Sequence, residues 1–135
     1  MQHHFAAKLL PLASAIALLT AGGSALAQDA PVKIGHVGPL TGAIAHLGKD
    51  NENGARLAIE EINKAGLTIN GKKVVLELVA EDDAGDPKTG TAVAQKLVDA
   101  KVVAVVGHLN SGVSIPASKI YSDAGIVQIS PSSTN

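Results

Sequence analysis

The sequence predicts an α/β fold, a Rossmann-like parallel sheet with flanking helices. Two observations carry that expectation. Beyond residue 31 the chain alternates β-branched runs with helical patterns, strand–helix–strand–helix–strand–helix–strand, the order that gives a parallel sheet with right-handed crossovers. Two of these runs, Val102 to Val106 and Ile126 to Ile129, lead straight into loops of small and polar residues, Gly107 to Gly112 and Ser130 to Thr134. Open α/β sheets hold ligands at the carboxyl ends of their strands, so the two loops are candidate parts of one site.

Each element has its own signal. Val32 to Val37 is a first strand that stops at Gly38-Pro39, and a polar loop follows from Leu40 to Lys49. Asp50 or Asn51 can cap a helix by accepting from its first N–H groups. Ala55, Ala58, Ile59 and Ile62 then share one helical face, and Gly66 can end the helix at positive φ. Asn70-Gly71 marks a turn, and Lys73 to Glu81 is a second strand with Val74, Leu76 and Leu78 in alternation. Asp86-Pro87 opens a second helix, as a cap followed by proline at the first helical position. Val93, Leu97 and Ala100 are its buried stripe. Val102 to Val106 fits a central strand covered on both faces. A third helix is expected from about Ser114 to Ala124, with Ala117, Ile120, Tyr121 and Ala124 inward and Gly125 as its stop.

Composition narrows the function classes. The 135 residues make one modest domain, 46% hydrophobic, with a formal net charge of −1. Nothing in that balance attracts nucleic acid. Phe5 and Tyr121 are the only aromatics, too few for base stacking. There is no cysteine, so thiol nucleophiles, thiolate metal sites and disulfides are excluded. Lys8, the apolar stretch Leu9 to Ala21 and the small-x-small run Ala25-Leu26-Ala27 predict a secretory signal peptide over residues 1–27. The apolar stretch is short for a membrane span, so an exported protein without membrane insertion is expected after cleavage. The remainder, 28–135, carries ten basic and twelve acidic residues.

Several motifs have competing readings. The loop around Asn110 and Ser111 offers N–H groups and a hydroxyl at a helix start, which suits a carboxylate, although a serine there can simply cap the helix. Ser130-Pro131-Ser132-Ser133-Thr134 adds hydroxyls and carbonyls from the neighbouring strand. Glu81-Asp82-Asp83 with Asp86 could hold a cation, but a strand end plus a helix cap accounts for these acids. His36, His46 and His108 lack partners at metal-ligand spacing. The run Gly35 to Gly42 lacks the spacing of a nucleotide loop, and Pro39 removes an N–H that a phosphate would use. No nucleophile elbow is present, and no residue is assigned a catalytic, metal or cofactor role.

Taken together, VKIGHVGPLTG, GARLAIEEINKAG, EDDAGDPKTGTAVAQKLV, VVAVVGHLNSGVSIPASKIYSDAGI and SPSSTN resemble the leucine/isoleucine/valine-binding proteins. These are type I periplasmic receptors of branched-chain amino acid ABC transporters. The resemblance covers nearly all of residues 32 to 135 and matches their N-terminal lobe. It implies an amino acid held between two lobes that close by a hinge, and a second lobe missing from this chain. Ser111 would bond the ligand carboxylate through hydroxyl and N–H, with Asn110 beside it. Ser132 would offer backbone atoms, and Thr134 would bond both carboxylate and ammonium. Leu47 would stand in the loop wall where many members carry an aromatic residue. Gly85 and Asn110 occupy positions where some members join two cysteines. The implied setting is the periplasm, the implied partners are an amino acid and membrane permeases, and a monomer without cofactor is expected. The alternatives are a receptor of the same fold for amides or aromatic acids, an exported α/β enzyme whose catalytic half lies beyond Asn135, and a non-functional fragment with an exposed sheet edge.

Overall fold

The computed structural model describes residues 30–135, so the signal peptide expected over 1–27 lies outside the described residues. Six strands and three helices follow in the order β1 (Val32–Gly38), α1 (Ala45–Ala65), β2 (Thr68–Ile69), β3 (Lys72–Lys73), β4 (Leu76–Asp82), α2 (Pro87–Asp99), β5 (Ala104–Val106), α3 (Ser111–Asp123) and β6 (Val127–Ile129). Four strands form one parallel sheet in the order β4-β1-β5-β6. Val32 is level with Leu76, Ile34 with Ala104, and Ala104 with Val127, so all four strands deliver their carboxyl ends to the same edge.

Alternate residues of β1 serve different helices, as the two-residue period of a strand requires. A Cβ on Gly35 would stand 3.0 Å from Leu97 of α2 and 3.1 Å from Val105. His36 turns to the opposite face. The main core lies on the α2 and α3 side and comprises Val37, Ala94, Leu97, Val102, Val105, Ala117 and Tyr121, with Val79, Val93, Val98, Ile120 and Ile126 packed around it.

Helix α1 departs from expectation at both its start and its face. It begins at Ala45, not after Asp50 or Asn51, and its N-terminal position is held by Ile44 without a side-chain cap. Main-chain bonds from Ala45 N to Gly42 O (3.2 Å) and from Leu47 N to Ile44 O (3.0 Å) form the first turn. Close packing anchors that turn: a Cβ on Gly48 would lie 2.3 Å from the Pro39 carbonyl oxygen. The loop expected from Leu40 to Lys49 is thereby shortened. Of the predicted inner face, Ala55 and Ile59 are half-buried, while Ala58 and Ile62 are exposed. The reason is length: 21 residues of helix run about 31 Å, against about 23 Å for the seven-residue strands beneath. Gly66 does end the helix, in the left-handed conformation at φ 82°.

The strand expected over Lys73 to Glu81 is divided. Asn70-Gly71 turns a short antiparallel hairpin of β2 and β3, and the sheet strand begins only at Leu76. Asn63 of α1 reaches the start of that strand, donating from Nδ2 to the Leu76 carbonyl (2.9 Å) and accepting from its N–H (2.8 Å). Helix α2 follows the sequence reading closely. Asp86 caps it by accepting from the Thr89 N–H at 2.7 Å, and this bond, aided by the Thr89 hydroxyl, holds the Asp86 carboxyl below the usual range. Helix α3 starts at Ser111, three residues earlier than expected, because the Asn110 carbonyl accepts from Val113 N and Ser114 N. Ala124 is exposed, being the residue that closes α3 and lies past its last buried turn. The ladder of β5 covers only Ala104–Val106, and Val102 is buried beside the end of α2. The sheet face opposite α2 and α3 is open toward β6, where Val127 and Ile129 are 59% and 63% exposed. Among the described residues no helix is long and apolar enough to cross a membrane.

Candidate functional site

The carboxyl edge of the sheet gathers four turns, those after β1, β4, β5 and β6. Asp82, at the end of β4, ties the first of them down. It accepts from Leu40 N at 2.8 Å, from the Thr41 hydroxyl at 2.5 Å and from Ala84 N at 2.8 Å. Burial alone would raise the Asp82 carboxyl, but the Thr41 hydroxyl and the amides of Ala84, Leu40 and Thr41 outweigh it and hold it below the usual carboxylate range. The acidic run is therefore consumed by structural bonds. Among the described residues no three acids, histidines or cysteines are grouped to hold a metal.

The loops after β5 and β6 are stitched together. Ser130 Oγ lies 2.6 Å from the His108 carbonyl oxygen and Ser114 Oγ 3.0 Å from the same oxygen. Ser133 Oγ joins these hydroxyls, 2.6 Å from Ser114 Oγ and 2.7 Å from Ser130 Oγ. Ser132 donates its hydroxyl to the Leu109 carbonyl at 2.7 Å and its N–H to Ser130 Oγ at 3.3 Å. Thr134 N–H donates to Ser111 Oγ at 3.1 Å. Ser111 accepts in that bond, so its own hydroxyl proton remains to be donated.

Four of the five residues singled out in the sequence thus meet at one place. Ser111 is the first residue of α3, where N–H groups lack helical partners and the helix dipole favours negative charge. Asn110 precedes it in extended conformation and makes no side-chain cap bond; its Oδ1 is buried without a hydrogen-bond partner. Ser132 and Thr134 face them from the other loop. Leu47 belongs to the first turn of α1, not to a loop, and is 44% exposed. Its neighbourhood approaches the site: a Cβ on Gly85 would be 3.7 Å from Ile44 Cδ1 and 3.8 Å from Asn110 Oδ1. Gly85 and Asn110 are therefore side by side, as their shared place in the family pattern implies.

The sequence reading missed a buried set below these loops. His108 Nδ1 lies 2.7 Å from Asp83 Oδ2 and His108 Nε2 lies 3.2 Å from Tyr121 Oη, all three side chains being fully buried. Asp83 and His108 are 25 residues apart in sequence, so metal-ligand spacing gave no hint of their contact. The available signal was positional: each follows the last residues of a strand that reaches the site edge.

The chain belongs to the periplasmic binding protein family, whose model matches residues 31–135. Among curated relatives it is similar to an amino acid binding protein of Pseudomonas aeruginosa, 48% identical over 90% of this chain and 32% of that protein. It is also similar to Leu/Ile/Val-binding protein homolog 1 of Brucella abortus, 47% identical over 88% of this chain and 30% of that protein. The chain spans about a third of the length of these relatives. A solved structure of similar fold is the branched-chain amino acid transporter substrate binding protein LivJ of Streptococcus pneumoniae in complex with isoleucine. It is 37% identical, covers 78% of this chain and 30% of that one, and has a TM-score of 0.71. Another is a solute binding protein of an ABC transporter from Rhodopseudomonas palustris BisB5 in complex with 3,4-dihydroxy benzoic acid, 30% identical, covering 76% and 27%, with a TM-score of 0.64. The matched proteins are named for binding, not for catalysis.

Proposed function

We propose that residues 28–135 form the first lobe of a periplasmic solute-binding protein that supplies branched-chain amino acids to the permeases of an ABC importer, exported by a signal peptide over residues 1–27. The observation that carries this reading is the meeting of Ser111 and Thr134 across the two loops, 3.1 Å apart. A carboxylate entering there accepts from the Ser111 hydroxyl and N–H and from the Thr134 hydroxyl, at the positive end of α3. The Thr134 hydroxyl and the Ser132 carbonyl are acceptors for an ammonium group. Asn110 fixes the start of α3 beneath them, and Leu47 borders the space for the ligand side chain. The residues bind and orient; none is placed to react. Enclosure by a second lobe supplies the remaining contacts and presents the closed form to the permeases.

The test is calorimetric titration of leucine, isoleucine and valine into the longer protein that contains this lobe. Saturable binding with a dissociation constant in the micromolar range or below is expected. Absence of binding for all three refutes the assignment.

A second reading has a specific observation behind it. Leu47 leaves an aliphatic wall, and a relative of similar fold holds a dihydroxybenzoic acid, so an aromatic acid is the alternative ligand. Benzoate derivatives that bind where leucine does not would establish it.

A further inference from the structure

The buried set of Asp83, His108 and Tyr121 is more than ballast for the core. Three polar side chains with no exposure gain little over well-packed apolar ones of similar size, because desolvation offsets most of their mutual attraction. What they supply is geometry. Asp83 is fixed from several sides: its N–H donates to the Gly38 carbonyl at 3.1 Å, and its Oδ1 accepts from Gly85 N at 2.8 Å. Its Oδ2 accepts from His108 Nδ1. An ionised carboxylate offers no proton, so Nδ1 must carry the hydrogen in that bond. A neutral imidazole is then left with Nε2 as acceptor, and Tyr121 is the donor. Burial first, and the negative charge of Asp83 second, push the Tyr121 hydroxyl well above the ordinary phenol range, so it keeps its proton. One tautomer and one ring orientation satisfy every member.

The same histidine carries the carbonyl on which the second loop hangs. Ser130 Oγ at 2.6 Å and Ser114 Oγ at 3.0 Å both reach His108 O, and Ser133 bridges the two hydroxyls. Ser133 N and Ser132 N in turn lie 2.9 and 3.3 Å from Ser130 Oγ. A continuous path of hydrogen bonds therefore runs from β4, through the ring and main chain of His108, to the loop that presents Ser132 and Thr134.

We infer that Asp83 is a positioning residue for the binding site: through His108 it fixes the carbonyl that anchors Ser114 and Ser130, and so places the Ser130–Thr134 loop opposite Ser111. As a statement about ligand, this rests on the reading given above; as a statement about the loop, it stands alone. Asp83→Asn tests it. Asparagine has one acceptor where the carboxylate has two, so it cannot serve both Gly85 N–H and His108 Nδ1–H in the present arrangement. In the 135-residue chain, long-range proton–nitrogen NMR of His108 should show hydrogen on Nδ1 in the wild type. In D83N it should show a shift of hydrogen toward Nε2, with loss of order at the amides of Ser132, Ser133 and Thr134 by heteronuclear relaxation. Leu97→Ala, which only opens the core, should change neither reading. A folded D83N that keeps both the Nδ1 tautomer and an ordered loop overturns the inference.

The path can also be cut on its far side, in case D83N does not fold. The double variant S114A/S130A should free the loop while leaving the His108 tautomer unchanged, and a loop that stays ordered in it overturns the inference. In the longer protein, D83N should weaken leucine binding at least tenfold. Wild-type protein that binds no branched-chain amino acid, with a loop still loosened by D83N, would overturn the ligand assignment and support the positioning role.

Discussion

His36 is buried with neither ring nitrogen hydrogen-bonded; the main chains of Gly48 and Val106 approach it without completing a bond. Burial pushes its imidazole below the ordinary value near 6.5, and the carboxylates of Glu52 and Asp83 offset this only in part. The unfolded chain then takes up a proton before the folded one does. Stability is fully present above about pH 6.5 and is lost as the pH falls from there toward the folded-state value. Urea midpoints at pH 7.5 and 5.5 should therefore drop more in the wild type than in His36→Val, and equal drops would refute the account. Ser111 makes a different kind of prediction. Loss of a hydrogen bond to a charged carboxylate costs about 1.5–3 kcal/mol, so Ser111→Ala in the longer protein should raise the leucine dissociation constant about tenfold to a hundredfold. Titration calorimetry reads this directly. That the loops after β5 and β6 come together at one edge was legible, because small polar residues after a buried strand are a local pattern. Asp83 and His108 were not, because their contact spans β4 and β5 with β1 lying between them.

Helix α1 contains two glycines with opposite meanings. A methyl group on Gly48 would lie 2.3 Å from the Pro39 carbonyl oxygen, a main-chain atom that cannot turn aside. A methyl on Gly54 meets nothing within 4 Å. Gly48→Ala should therefore destabilise the protein by about 1–3 kcal/mol through overpacking. Gly54→Ala should stabilise it by about 0.5–1 kcal/mol, since glycine in a helix interior gives up more backbone freedom on folding than alanine. Denaturant unfolding of the two variants checks both signs. The same helix shows where sequence patterns lose their grip. Its end was legible from Gly66, and the start of α2 from Asp86-Pro87, because both signals are chemical and local. Its start was not, because a contact with Pro39 replaces the side-chain cap. The hairpin of β2 and β3 escaped notice because two-residue strands carry no periodicity.

The alternation of strands and helices was enough to give the parallel topology. Enclosure is a property that one lobe does not supply. Residues 28–135 alone should show no appreciable shift in melting temperature with millimolar leucine, whereas the longer protein should be stabilised by ligand linkage. A clear shift in the shorter piece would show that these two loops hold the ligand unaided. The expectation of a central strand covered on both faces failed for a related reason. Val105 is buried under α2 and α3, but its neighbours Ala104 and Val106 face the side where Val127 and Ile129 lie open.

The two rims of the sheet are not equivalent, and Asn63 is the reason. Its amide satisfies both the N–H and the carbonyl of Leu76 on the outer side of β4, as one residue of a neighbouring strand would. That rim is thereby terminated by a side chain, with no further strand needed at that point. The β6 rim has no such stopper among the described hydrogen bonds. An incoming strand would therefore find the Leu76 position of β4 already occupied, whereas Gln128 of β6 has no main-chain partner on its outer side among the described hydrogen bonds.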